Sequence, residues 1–232
     1  MAPRYPAPRH SMIIEPFAGA AGYSLRHPDR EIVLVEKYHV IAEIWRWLIA
    51  ATPDDVRAIP TVDAVADLPA WVPQGARYLV GFNLAVARQQ PASRVSSGIL
   101  ARRASSAGRL VEGWTPQMRE RCASQVLRIK HWKIIEGDYT ESPDVNATWF
   151  IDPPYRGEVG RRYTCSSNHL DYRAVARWCR ARRGQAIVCE ADGADWLPFA
   201  PFRRIKGMKS TGSFEAIWEL DYDFGGVDAP QG

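Results

Sequence analysis

Thr148-Trp149-Phe150-Ile151-Asp152-Pro153-Pro154-Tyr155 is an apolar run that stops on an acid, two prolines and an aromatic ring. The run predicts a buried strand over 148–151. It cannot continue past Asp152, because each proline lacks the N–H a sheet ladder needs and fixes its own φ. The acid is therefore delivered at the carboxyl end of a strand. Open α/β sheets place their ligands there.

Working outward from this stretch, the chain repeats the pattern. Met12-Ile13-Ile14 predicts a short buried strand that ends at Glu15-Pro16, and the small-residue turn Phe17-Ala18-Gly19-Ala20-Ala21-Gly22 leads into a short helix. Ile32-Val33-Leu34-Val35 predicts a second buried strand ending at Glu36. Apolar residues at 40, 41, 44, 45, 48 and 49 predict a helix over 40–51. Further strands are expected at 132–135 and 185–189, and a basic helix at 170–181. A terminal antiparallel pair is expected at 202–205 and 214–220. Strand, glycine turn, helix and strand in this order predict an α/β fold: a Rossmann-like, doubly wound sheet with a terminal antiparallel hairpin.

The rhythm lapses between about 52 and 130. Residues 52–75 are broken by Pro53, Pro60, Pro69 and Pro73. A helix is expected over 78–87, an exposed Arg- and Ser/Gly-rich loop over 91–113, and a helix over 116–130 with Thr115 as its N-cap. Because strands of one sheet lie on both sides, 52–130 reads as an inserted helical and loop region. Residues 1–232 then form a single domain, with a disordered tail at 225–232.

Hydrophobic residues make up 46% and charged residues 24%, an ordinary globular composition. No apolar run approaches the roughly 20 residues that span a bilayer. Residues 1–10 lack an apolar signal-peptide core. A cytoplasmic location with no membrane partner is expected. Cys122, Cys165, Cys179 and Cys189 are widely spaced, which fits reduced thiols and no bound metal. The net charge of +4 is unevenly spread. Residues 85–133 carry ten Lys/Arg against two acids, and residues 156–183 carry eight Arg against two acids. Basic blocks in an otherwise acidic chain suit a polyanion, whose counterions are released on contact. Either block alone also fits a solvated face.

The chemistry suited to Asp152-Pro153-Pro154-Tyr155 is that of an exocyclic aromatic amine. Such an amine is a poor nucleophile because its lone pair is delocalised into the ring. A carboxylate and a rigidly presented backbone carbonyl can hold its two hydrogens and favour localisation, and Tyr155 can stack on the base. An amine inside a duplex requires the base to be flipped out first. The turn 15–22 lets a ligand approach the backbone. Glu36 at the next strand end can accept from ribose hydroxyls, and Asp138 in Glu136-Gly137-Asp138-Tyr139 from an adenine amine. Taken singly, each motif also fits a structural turn or a surface acid.

Over roughly residues 12–220 this order of motifs resembles the Dam-like adenine-specific DNA methyltransferases, in which the cofactor motif precedes the catalytic motif and the target-recognition region lies between them. The resemblance implies a methyltransferase sheet and S-adenosylmethionine as cofactor. It also implies double-stranded DNA as partner and transfer to N6 of adenine. It gives Asp152, Pro153, Pro154 and Tyr155 the catalytic roles. It assigns Tyr5, Glu15, Pro16, Phe17, Ala18, Gly19, Glu36, Asp138 and Asp152 to the cofactor. Arg88, Arg94, Arg102, Arg103, Arg109, Arg156, Arg161 and Arg162 are the expected DNA contacts. Two features depart from the family pattern: the turn's second glycine stands one place late (Gly19, Gly22), and the aromatic, paired-glycine and lysine motif usual at the N-terminus is replaced by Arg4-Tyr5-Pro6. Transfer to RNA or to N4 of cytosine, and a non-catalytic nucleic-acid-binding protein, are the alternatives.

Overall fold

The computed structural model describes residues 5–85, 89–105, 113–161, 164–205 and 213–222. The chain divides into two compact units, one of Met1–Lys37 with Gly137–Gly232 and one of Tyr38–Glu136. In chain order the strands are β1 (Met12–Glu15), β2 (Glu31–Glu36), β3 (Lys133–Glu136), β4 (Ala147–Ile151), β5 (Gly184–Ala191), β6 (Ala200–Ile205) and β7 (Ser213–Tyr222). The helices are α1 (His39–Ala50), α2 (Pro53–Ala58), α3 (Gln74–Asn83), α4 (Ser97–Ser105), α5 (Pro116–Ala123), α6 (Glu158–Arg161) and α7 (Tyr172–Arg180).

In the first unit six strands form one mixed sheet in the order β2-β1-β4-β5-β7-β6. β1 lies parallel to β2 on one side and to β4 on the other, with Ile14 facing Val33 and Trp149. β5 is parallel to β4, whereas β7 is antiparallel to both β5 and β6. The expected α/β sheet with a terminal antiparallel hairpin is therefore present. The parallel strands carry apolar runs because these stretches are buried. Ile13, Ile14, Leu34, Trp149, Ile151 and Ile187 are fully buried. Each such side chain contributes about 1.5–3 kcal/mol. The sheet order reverses at β1, whose two neighbours come from opposite directions of winding. That is the switch point at which such sheets hold ligands.

α7 starts at Asp171, whose carboxylate accepts from the backbone N–H of Arg173 and Ala174. Its inner face buries Val175, Ala176 and Cys179. Trp178 packs edge-on against Trp149 with ring centroids 5.6 Å apart. The Arg182 guanidinium lies 4.3 Å from the Trp178 ring centre and 5.1 Å from that of Trp149.

The second unit has its own core, in which Val56, Ile59, Val80, Leu84, Trp114 and Val126 are buried together. Its bounds run wider than the expected 52–130 and take in α1 and β3. Trp45 of α1 packs on Trp132, just before β3, at 5.8 Å. Three expectations change here. The helix expected at 78–87 is α3, which begins four residues earlier, directly after Pro73. The helix expected at 116–130 ends at Ala123, where Ser124 Oγ and Gln125 Nε2 both donate to the Arg121 carbonyl. A separate 3-10 turn, Val126–Ile129, follows. The loop expected at 91–113 contains α4, anchored by the fully buried Ile99. Among the described residues no helix is long and apolar enough to cross a membrane. The tail 225–232 lies outside them.

Candidate functional site

The expected catalytic tetrapeptide and most of the expected cofactor residues meet at the carboxyl ends of β1, β2 and β4 in the first unit. Glu15 closes β1 and is 2% exposed. Its Oε1 accepts the Ser24 N–H at 2.6 Å, so it braces the far side of the glycine turn. Pro16 follows it, buried in the turn. The turn itself docks on the end of β2: Ala18 N–H donates to the Val35 carbonyl at 3.1 Å. Gly19 N–H donates to Glu36 Oε2 at 2.8 Å. Gly19 has φ +45°, and a Cβ there would meet nothing within 4 Å. The backbone is thus left-handed and faces open space.

Burial pushes the Glu15 carboxyl up to about 7, against the pull of Ser24. The folded chain therefore holds this proton more tightly than the unfolded one. The stabilisation is fully present below pH 4.5 and is lost as pH rises through about 7. The full swing is about 3 kcal/mol. In thermal melts across pH 4.5–7.5, Glu15→Gln, which retains an acceptor for Ser24, is expected to flatten the decline seen in the parent chain. Parallel slopes for the two proteins would disprove this.

Phe17 stacks on Tyr139 with centroids 5.3 Å apart and planes 23° apart. Asp138, just before it, caps the 3-10 turn Tyr139–Glu141. Its Oδ2 accepts from Lys37 Nζ at 3.0 Å and its Oδ1 from Thr140 Oγ1 at 3.1 Å. Desolvation raises the Asp138 pKa, but the Lys37 and Thr140 contacts outweigh it and the net shift is downward. Asp138 is therefore a carboxylate.

Asp152 follows the last residue of β4. The residue is exposed to water, yet desolvation by the surrounding protein, then the charges of Glu215 and Glu190, push its carboxyl up to about 7. Pro153 is buried and Pro154 half-buried. The Pro154 carbonyl accepts from the Tyr172 hydroxyl. Tyr155 donates its hydroxyl to Glu215 Oε1 at 2.9 Å.

Tyr5 stands apart from the turn. Its hydroxyl donates to Glu215 Oε1 at 2.6 Å and accepts from Arg203 Nη2 at 2.7 Å. Its ring stacks on Phe202 at 5.3 Å and meets Phe150 edge-on at 4.9 Å. Glu215, Arg203 and Glu190 were not singled out from the sequence. Glu190 is fully buried at the end of β5. It accepts from Arg156 N–H, from Ala191 N–H and, at 2.8 Å, from Trp196 Nε1. The signal that was there to find is an acid inside an otherwise apolar strand, in Ile187-Val188-Cys189-Glu190 and in Phe214-Glu215-Ala216-Ile217.

The expected DNA contacts divide. Arg94, Arg102 and Arg161 are exposed. Arg156 is exposed and pairs with Asp195 at the rim of an open cavity of about 330 Å³ lined also by Asp192 and Gly193. Arg103 is corrected. It is 8% exposed and its Nη1 pairs with Asp63 at 2.7 Å, so it ties the second unit together instead of facing solvent. Arg88, Arg109 and Arg162 lie outside the described residues.

All four cysteines are free thiols. Among the described residues one group has metal-ligating spacing, His39, Glu43 and Glu136 in the second unit. Arg46 donates to both glutamates, reaching Glu136 Oε2 at 3.0 Å, so a guanidinium already occupies an oxygen of each. No protein-family model matches the chain, and no curated protein matches it.

Proposed function

We propose that the chain transfers a methyl group from S-adenosylmethionine to N6 of adenine in DNA. One observation carries this reading. The glycine turn, Glu36, Asp138 and the Asp152-Pro153-Pro154-Tyr155 segment, scattered over 140 positions of sequence, converge at the carboxyl ends of strands around the switch point of one sheet. A mixed α/β sheet that ends in an antiparallel hairpin supports the same reading.

The residues present suit the cofactor. The open space at Gly19 is a cradle that a side chain would fill. Phe17 and Tyr139 offer aromatic faces to a purine. Glu36 and Asp138 are acceptors for ribose hydroxyls and the adenine amine. When bound, the cofactor supplies an electrophilic methyl group. The chain then has to present the amine. The Pro154 carbonyl is engaged by Tyr172, which leaves the Pro153 carbonyl to accept one amine hydrogen and Asp152 the other. Tyr155 stacks on the flipped base. This returns about 1–3 kcal/mol of the unstacking cost. Most of the catalysis is then placement and preorganised acceptors.

The test uses tritiated S-adenosylmethionine with duplex DNA and with RNA, followed by nucleoside digestion. Label in N6-methyladenine from DNA is the expected result. Label in RNA or in N4-methylcytosine reassigns the substrate. Failure to bind S-adenosylmethionine by calorimetry overturns the reading. Duplex affinity is also expected to fall with salt. Each neutralised phosphate contributes a slope of about −0.9, so engagement of Arg156 and Arg161 in the first unit gives about −1.8 in log K against log salt, and engagement of Arg94 and Arg102 in the second gives the same. A flat dependence in a binding titration at 50–300 mM salt would remove these arginines from the interface.

A further inference from the structure

We propose that Glu215 is a positioning residue for Asp152 and Tyr155, acting with Arg203 and Tyr5 as one polar brace behind the catalytic segment. The inference rests on the function proposed above. Glu215 sits on β7 at 2% exposure, where a carboxylate is costly unless each of its oxygens is satisfied. Here they are. Oε1 accepts two hydroxyls, Tyr5 at 2.6 Å and Tyr155 at 2.9 Å. Oε2 accepts from Arg203 Nε, and the other end of the same guanidinium donates to the Tyr5 hydroxyl at 2.7 Å. The Arg203 guanidinium also lies 4.5 Å from the Tyr5 ring centre, which fixes its plane.

Three separate parts of the first unit thus close on one carboxylate: the segment before β1 through Tyr5, the β6–β7 hairpin through Arg203 and Glu215 itself, and the catalytic segment through Tyr155. The arrangement exceeds what packing of the hairpin needs. β6 and β7 are already held by their own ladder. The geometry sets the Tyr155 ring by its hydroxyl, so the face offered to a base is fixed before the base arrives.

Glu215 also acts on Asp152 through charge. The groups bearing on Asp152 are Glu215 from β7, Glu190 from β5, Tyr155 beside it and Arg203 from β6. Tyr5, Cys189 and Glu15 of β1 are coupled to it as well. Glu215 is the largest charged contributor and Arg203 opposes it. A negative neighbour disfavours the ionised form, so the brace keeps Asp152 poised instead of fully charged.

The experiment compares the parent chain with Glu215→Gln, which keeps the size and an acceptor oxygen but removes the charge. Two readouts are taken. The first is the carboxyl ¹³C titration of Asp152 in the isolated chain, with the resonance assigned by Asp152→Asn. The second is the pH profile of kcat for methyl transfer to DNA. The expected result is that the titration midpoint and the acid limb of kcat both move down by about 1 pH unit. The KM for DNA stays within about twofold. An unmoved midpoint in a folded Glu215→Gln protein overturns the proposal. A moved midpoint in chains that transfer no methyl group keeps the brace and overturns the function instead. Tyr155→Phe reads the same contact from its other end, by severing it while leaving the ring and both charges. It is expected to lower kcat about tenfold at unchanged KM for DNA. Parent-level kcat in Tyr155→Phe also overturns the proposal.

Discussion

Asp152→Ala is expected to lower the methyl-transfer rate by at least about 10²–10³-fold, the scale for removing one preorganised partner from the reacting group. Binding of S-adenosylmethionine should persist, because the glycine turn, Glu36 and Asp138 remain. Single-turnover rates paired with calorimetry separate the two effects. Full activity in the variant would sink the assignment. The same residue sets a pH dependence whose sign follows from its role. Asp152 must be ionised to accept an amine hydrogen, and its carboxyl lies at about 7. The rate should therefore climb as pH rises through about 7 and level off above it. In Asp152→Asn, which cannot titrate, the remaining rate should lose that limb.

Trp149→Ala is expected to destabilise the first unit by about 3–5 kcal/mol, the range for truncating a large buried aromatic residue. Trp149 is fully buried on β4 and its Nε1 donates to the Arg183 carbonyl at 2.9 Å. The edge-on Trp178 and the Arg182 guanidinium would both lose a partner. For a chain of this size the loss corresponds to about 6–20 °C in Tm. Thermal unfolding followed by near-ultraviolet circular dichroism measures it, and a drop under about 2 °C would show that the cavity collapses. Trp149→Phe, which keeps an aromatic ring, should lose less.

The parts of this fold that can be read from sequence are those where one physical demand dominates. A strand covered on both faces must be continuously apolar, so Ile13-Ile14, Ile32–Val35 and Thr148–Ile151 announce themselves, and so do the acids that end them. The helices of the second unit are harder. Beyond α1 they are shorter, and α4 is held by the deeply buried Ile99 among polar and charged neighbours. Arg103 shows the same limit: its sequence surroundings are those of a solvated arginine, yet it is buried and pairs with Asp63, forty residues away. Half of the candidate site was legible for the first reason. The other half, Glu215 with Arg203 and Tyr5, depends on partners up to 210 positions apart. No local period encodes such a partnership. A lone buried acid marks it only as a polar residue that must find company.

The pairing of β1 with β4 has a consequence for the protein's birth. Ile14 meets Trp149 in register, but the two are 135 positions apart in the chain. At about 5–20 residues per second, translation leaves β1 waiting about 7–27 seconds for the strand that pairs with its second edge. For that time an apolar ribbon of isoleucine, leucine and valine has open edges and uncovered faces, while the 99 residues of Tyr38–Glu136 are synthesised with a core of their own. The nascent chain is thus most vulnerable at its earliest strands, where chaperone capture is most useful and where aggregation on rapid overexpression would begin.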